Sequence, residues 1–325
     1  MRRLVLMAAV LLAVTFVAAC GDGPKTLTPV KLMLDWVPNT NHTGIYVARD
    51  KGYFEEAGLD VEILEPGEVY PEAAVAGGAA DFGISFQENV TLARAEGGPI
   101  VSVAAVMQHN TSGFASLRTL GVTDPAGFAG LRYGAYGSPS EAPTLRALMQ
   151  NAGADFSRLQ MVTTGFADPL ALLKEGQIDL AWIFYGWQGI QAKQLGLDLD
   201  IVMMQDYFDA VPDFYTPVVI TSEATITENP DMVAAVVKAL SRGYTFAVEQ
   251  PGEAAKILLA AVPELDSALV NESQSWVSGY YIADAGRWGE QKEVVWRDYS
   301  AWLVDNGVLP APVDPQQAFT NRFLP

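Results

Sequence analysis

Cysteine is nearly absent from this chain of 325 residues, which has one, Cys20. That excludes an internal disulfide, a thiolate nucleophile in the body and any Cys-based metal site. Histidine is scarce as well, with only His42 and His109, so a multi-histidine metal centre is unavailable. Basic residues are outnumbered, Lys+Arg 20 against Asp+Glu 38, for a net charge of −18. Nucleic acid is therefore disfavoured as a partner, because phosphate backbones are held by clustered Lys and Arg. No HExxH, CxxC, Walker A or GxSxG pattern occurs, and the Gly-rich stretch Gly134 to Ser140 lacks GxGxxG spacing. Internal repeats and low-complexity tracts are missing too. What is present is apolar: 50% hydrophobic against 18% charged. That is too apolar for a disordered chain, and the length suffices for two domains with sizeable cores.

Residues 1 to 20 combine Arg2 and Arg3, an apolar run from Leu4 to Val17, and Ala18-Ala19 before Cys20. This is the build of an export signal, with a basic start, an apolar stretch and small residues before the cut. The run is shorter than the roughly 18 residues of a membrane-spanning helix, and no later stretch reaches that length. Val17-Ala18-Ala19-Cys20 resembles a lipobox, which makes Cys20 a candidate site of lipidation and anchors the exported protein to the cell membrane. Residues 21–28 then form a polar tether.

Beyond it, strand-like and helical patterns alternate. A strand near Val30 to Leu34 leads through a polar loop into a helix from Thr43 to Asp50, with Asn39 to Asn41 as caps. Further strands are expected at 61–64, 81–85 and 100–108, with helices at 72–76 and 88–96 between them. A second block follows, with a strand from Gly130 to Tyr136, a helix from Pro143 to Ala152 and a strand from Leu180 to Phe184. Pro217 to Thr221 reads as a return to the first sheet, and helices dominate from Pro230 onward. Such alternation predicts an α/β fold with mainly parallel sheets.

Abundant carboxylates without a recognisable catalytic set point to a binder rather than an enzyme. Open α/β sheets place ligands at strand ends, and four loop clusters there carry aromatic and neutral polar groups. The first holds Trp36, Asn39, Asn41 and His42; the second Ser85, Phe86, Gln87, Glu88 and Asn89. The third, Tyr136, Ser138 and Glu141, is a Gly/Ser turn ahead of a helix whose N–H groups suit an anion or carbonyl. The fourth, Phe184, Tyr185, Trp187 and Gln188, contains Gly186 and Gly189 around Trp187, which let the chain turn and present the ring. Each has a plain structural alternative: Trp36 as a sheet-end cover, His42 as a partner of backbone groups, Ser85 or Asn89 as helix caps. Trp276, Trp288, Trp296 and Trp302 read as helix packing.

Leu34 to Ala48, followed by Lys51 to Val61, Asp81 to Ile84, Tyr185-Gly186-Trp187 and Tyr215 to Val218, resembles the thiamine-pyrimidine family of periplasmic binding proteins. The resemblance implies a type II periplasmic-binding fold whose two lobes, 29–118 with 218–325 and 119–217, are joined by a two-strand hinge. It also implies a monomeric solute-binding lipoprotein working with the permease and ATPase of an ABC importer, without a cofactor, and adds Tyr215 to the ligand residues. One branch of the family makes the thiamine pyrimidine from its own histidine with a Cys-rich iron motif. His42 falls at that histidine's place, but Val211 to Val218 contains no cysteine, so the enzyme reading fails there.

The ligand is expected to be an aromatic heterocyclic vitamin. Pyrimidine binders are expected to carry Glu where this chain has Gln188. An amide donates and accepts at once, which matches the uracil-like edge of a flavin and favours riboflavin over a formylaminopyrimidine. The four clusters contain no Arg or Lys, which disfavours a sulfonate.

Overall fold

The computed structural model describes residues 26–325 apart from Glu68 and Phe166. The export signal and Cys20 lie outside the described residues, and Thr28, expected as the last tether residue, begins the first strand. The strands are β1 (Thr28–Met33), β2 (Leu59–Leu64), β3 (Phe82–Ser85), β4 (Ile100–Ala105), β5 (Ser112–Leu117), β6 (Arg132–Ala135), β7 (Gln160–Thr163), β8 (Leu180–Phe184), β9 (Leu199–Met203) and β10 (Val218–Ser222). They form two five-stranded sheets, ordered β2-β1-β3-β10-β4 and β7-β6-β8-β5-β9.

The two sheets share one topology. β1 runs parallel to β2 and β3, while β10 is antiparallel to β3 and β4. Likewise β6 runs parallel to β7 and β8, while β5 is antiparallel to β8 and β9. The reversed strand in each sheet is the one the chain has just carried over from the other. In the first sheet β3, β4 and β10 are buried throughout, as expected for strands covered by helices on both faces.

Because β5 pairs in the second sheet, the first crossover falls between Ala105 and Ser112, ahead of the expected 118/119 boundary. Ser112–Leu117 mixes serine, glycine and apolar residues, and nothing in that composition marks which sheet it joins. The stretches 106–111 and 208–217 contain no regular strand. They meet where the Val106 N–H donates to the Pro217 carbonyl at 2.9 Å.

Helix Thr43–Asp50 packs on helix Pro230–Glu249 almost backbone to backbone. A Cβ on Gly243 would lie 2.0 Å from the Gly44 carbonyl oxygen, so glycine is required there. Helix Glu293–Asp305 serves both units. Trp296 packs with Val90, Ile100 and Tyr215, whereas Tyr299, Trp302 and Leu303 pack with Phe114, Tyr133 and Leu145. At 1.5 Å per residue, Trp296 and Trp302 sit about 9 Å apart along the axis, enough to reach separate cores. The C-terminal segment, expected wholly in the first lobe, therefore contributes to both.

Candidate functional site

Shared topology makes the four clusters two pairs of equivalent loops. Those after β1 and β6 correspond, as do those after β3 and β8, and all four lie at the C-terminal ends of parallel strands. Those after β3, β6 and β8 meet where the units touch. Phe86 stacks on Phe184 with centroids 5.9 Å apart and planes at 13°, and the Ser138 hydroxyl donates to Glu88.

In the loop after β1, Asn39 Oδ1 accepts from the Asn41 N–H at 2.9 Å, and the Asn39 N–H donates to His42 Nδ1 at 3.2 Å. With Nδ1 accepting, Nε2 carries the hydrogen and donates to Asp35 Oδ1 at 2.6 Å. His42 is fully buried. Both ring nitrogens are spent inside the protein, which leaves neither for the ligand contact expected of it. The Asn39 amide also donates, to the Val37 carbonyl. Trp36 stands at the rim, 41% exposed, and Asn41 is half-buried.

After β3, neither Ser85 nor Asn89 caps the helix that follows, whose N-cap is Phe86. Both donate instead to Glu72 Oε1. Gln87 is buried and fully engaged: Oε1 accepts from the Tyr215 N–H at 2.8 Å, and Nε2 donates to the Val295 carbonyl at 3.2 Å. Tyr215 is buried as well, its hydroxyl accepting from the Lys292 N–H at 2.8 Å. Gln87 and Tyr215 thus tie the crossover to the first unit rather than facing a cleft.

The turn after β6 does hold an anion, but its own. Glu141 accepts from the N–H groups of Tyr136, Gly137 and Ser138 at 3.0, 2.7 and 2.8 Å and from the Tyr133 hydroxyl at 2.6 Å. This internal carboxylate fills the nest that the sequence offered to a ligand. Tyr136 stays 38% exposed, edge-on to Trp182. Glu88 faces the same turn from the first unit. Burial pushes its carboxyl above the usual range, hydrogen bonds from Ser138 and Ser140 oppose that, and Glu141 adds to it. None of the described ion pairs includes Glu88 or Glu141.

After β8, Tyr185–Gly189 forms a single π-helical turn. Trp187 is not presented to open space: it is 8% exposed, in an apolar cluster with Tyr46, Ala255, Leu258 and Leu269. Gly186 serves close approach, since a Cβ there would lie 2.7 Å from Val277 and 3.0 Å from the Trp276 ring. Trp276 also packs on Tyr185 at 5.0 Å. Gln188 Oε1 accepts from the Phe184 N–H at 3.0 Å, so only its Nε2 hydrogens remain to offer. That removes half of the donor–acceptor pair on which the preference for a flavin edge rested.

Sequence reasoning included Glu88 and Phe184 in their clusters but missed Asp35 and Glu72, whose bonds to His42 and to Ser85 and Asn89 only the fold shows. A cavity of 370 Å³ beside Tyr185 and Gly189 is flanked by Arg118 and Lys193, both already paired with carboxylates. Among the described residues, no group of three or more His, Cys, Asp or Glu could hold a metal ion, and no helix is long and apolar enough to cross a membrane.

The family profile described as NMT1/THI5 like matches residues 39–254. The formylaminopyrimidine-binding protein of Halalkalibacterium halodurans is 31% identical over 96% of this chain and 96% of its own. The riboflavin-binding protein RibY of Chloroflexus aurantiacus is 26% identical over 95% and 89%. A 4-amino-5-hydroxymethyl-2-methylpyrimidine phosphate synthase of Legionella pneumophila is 25% identical over 91% and 92%. Among solved structures, the ligand-binding component of an ABC-type import system from Staphylococcus aureus superposes with a TM-score of 0.71 at 13% identity, over 91% and 97% of the chains. The alkanesulfonate-binding protein of Xanthomonas axonopodis, bound to MOPS, gives 0.69 at 16%, over 90% and 98%. The fold is that of the periplasmic binding proteins, in two α/β units with mixed sheets.

Proposed function

The chain belongs to the NMT1/THI5-like family, and from that premise we propose that it is the solute-binding protein of an ABC importer, capturing a neutral aromatic heterocycle between its two units. The observation that carries this reading is the contact between strand-end loops of the two units, at Phe86–Phe184 and Ser138–Glu88, in a set of loops that carries exposed Trp36 and Tyr136 and the free Gln188 amide hydrogens without an Arg or Lys among them. Aromatic walls with a few polar groups suit a flat, uncharged ring. The Glu141 carboxylate would repel a sulfonate.

A formylaminopyrimidine is the first reading, supported by the relative at 31% identity. Its ring nitrogens and formyl oxygen are acceptors suited to the Gln188 donor. Riboflavin is the second, favoured by an amide rather than a carboxylate at Gln188 and by similarity to the riboflavin-binding relative. Synthase chemistry is disfavoured: Val211 to Val218 lacks cysteine, and the His42 ring is enclosed by Asp35 and Asn39. The protein is exported, lipidated at Cys20, and delivers its ligand to a membrane permease; the mass of the exported form tests the acylation.

The ligand is tested by titrating the protein lacking residues 1–20 with each compound, by calorimetry for the pyrimidine and by flavin fluorescence for riboflavin. Saturable heat with the pyrimidine, weakened in Trp36→Ala, supports the first reading. Flavin quenching alone moves the protein to the second, and silence with both sinks the ligand class.

A further inference from the structure

Glu88 sits on helix Gln87–Ala95 of the first unit, 5% exposed, and is hydrogen-bonded across the boundary by the Ser138 and Ser140 hydroxyls of the second. The groups facing it come from every element packed around it. They are Ser138 and Ser140 in the turn after β6, Glu141 at the start of helix Glu141–Asn151, Tyr136 just after β6, Tyr133 on β6, and Tyr299 on helix Glu293–Asp305. None is a cation. Glu141 has its acceptor sites filled by three N–H groups and a phenol, so it claims the donors of this turn. Tyr299 is fully buried, and its hydroxyl has no hydrogen-bond partner among the described residues. Two carboxyl groups enclosed together without a counter-charge cannot both stay ionised at low cost, and the one with fewer donors takes the proton.

We propose that Glu88 is a positioning residue for ligand capture, a carboxylic acid that takes up a proton as the units close and, through Ser138, holds the Tyr136–Glu141 turn against the first unit. The inference rests on the reading of the protein as a two-unit solute binder, but not on which solute it carries. When the units part, Glu88 regains water and its ordinary acidity; when they meet, burial and Glu141 raise it. Closure is then favoured as pH falls from the raised closed-state value toward the ordinary carboxylate range, and below that range the gain is complete. One proton per closure changes ligand affinity by up to about tenfold per pH unit inside this window.

The test is calorimetric titration with the formylaminopyrimidine and with riboflavin between pH 4.5 and 8.5, on wild type, Glu88→Gln and Ser138→Ala. In wild type the affinity should fall with rising pH, and the binding heat should vary with the ionisation enthalpy of the buffer, reporting proton uptake. Glu88→Gln mimics the protonated acid, so it should bind with a flat profile and no buffer dependence. Ser138→Ala should bind more weakly while keeping the slope. A slope in Glu88→Gln equal to that of wild type, or none in wild type, overturns the proposal. If neither compound binds, the ligand reading fails by itself and the closure of the ligand-free protein decides about Glu88. By small-angle scattering, wild type should become more compact as pH falls from 8.5 to 4.5 while Glu88→Gln does not change with pH, and the same pH response in both, or none in wild type, overturns the proposal.

Discussion

The loops after β1 and β6 occupy equivalent places in the two units, yet they satisfy their polar groups with opposite chemistry. In the first, a buried imidazole accepts one N–H and passes its own hydrogen to Asp35. In the second, one carboxylate collects three N–H groups and a phenol. Both loops are closed from within before any ligand arrives. What is left for recognition is therefore narrower than the loops' composition suggests: the exposed rings of Trp36 and Tyr136 and the free end of Gln188. The difference teaches that a site shared by topology can differ in charge, and that the second unit brings the negative side of this boundary.

The sharpest break in the comparison is Glu141→Ala, which leaves one buried and three part-buried donors without an acceptor. A loss of about 3–5 kcal/mol in denaturant unfolding is expected; a loss below about 1 kcal/mol would mean that water replaces the carboxylate. His42→Ala strips the equivalent loop of one acceptor and one donor and leaves Asp35 alone. Its expected cost is smaller, about 1–3 kcal/mol, and a cost exceeding that of Glu141→Ala would reverse the ranking.

The smallest effect tests whether enclosure governs these strengths. His109 bridges Asp213 at 2.6 Å and Asp284 at 2.9 Å, but its side chain is 35% exposed. Hydrogen bonding to Asp213 raises it above the ordinary 6.5, burial opposes, and Asp284 adds. A raised folded value gives stability fully present below about pH 6.5 and lost as pH rises through the folded value. Exposure limits the sum to about 1 kcal/mol. His109→Asn should flatten the pH dependence of the melting temperature across that window, and an unchanged profile would remove His109 as its source.

Much of the fold was legible because periodicity is local. Asn39 as a cap, the helix Thr43–Asp50 and the buried strand Leu180–Phe184 all follow from neighbours a few residues apart. β5 was not, since nothing in Ser112–Leu117 distinguishes the sheet it joins. Within the site, the loops were legible and the roles were not. Ser85 and Asn89 look like caps until Glu72 is brought beside them, and Trp187 looks presented until helices from the last third of the chain cover it.

The sequence by itself determined an acidic α/β chain of two blocks, poor in catalytic groups, whose aromatic and amide residues fall in loops at strand ends. Those features depend on residue type and short spacing. Only the tertiary structure decided which polar groups are already spent, that Glu141 fills its own nest, and that Glu88 meets Ser138 across the boundary. Hydrogen bonds and desolvation depend on which atoms the fold brings within about 3 Å, and here partners lie as far as 208 residues apart in the case of Gln87 and Val295.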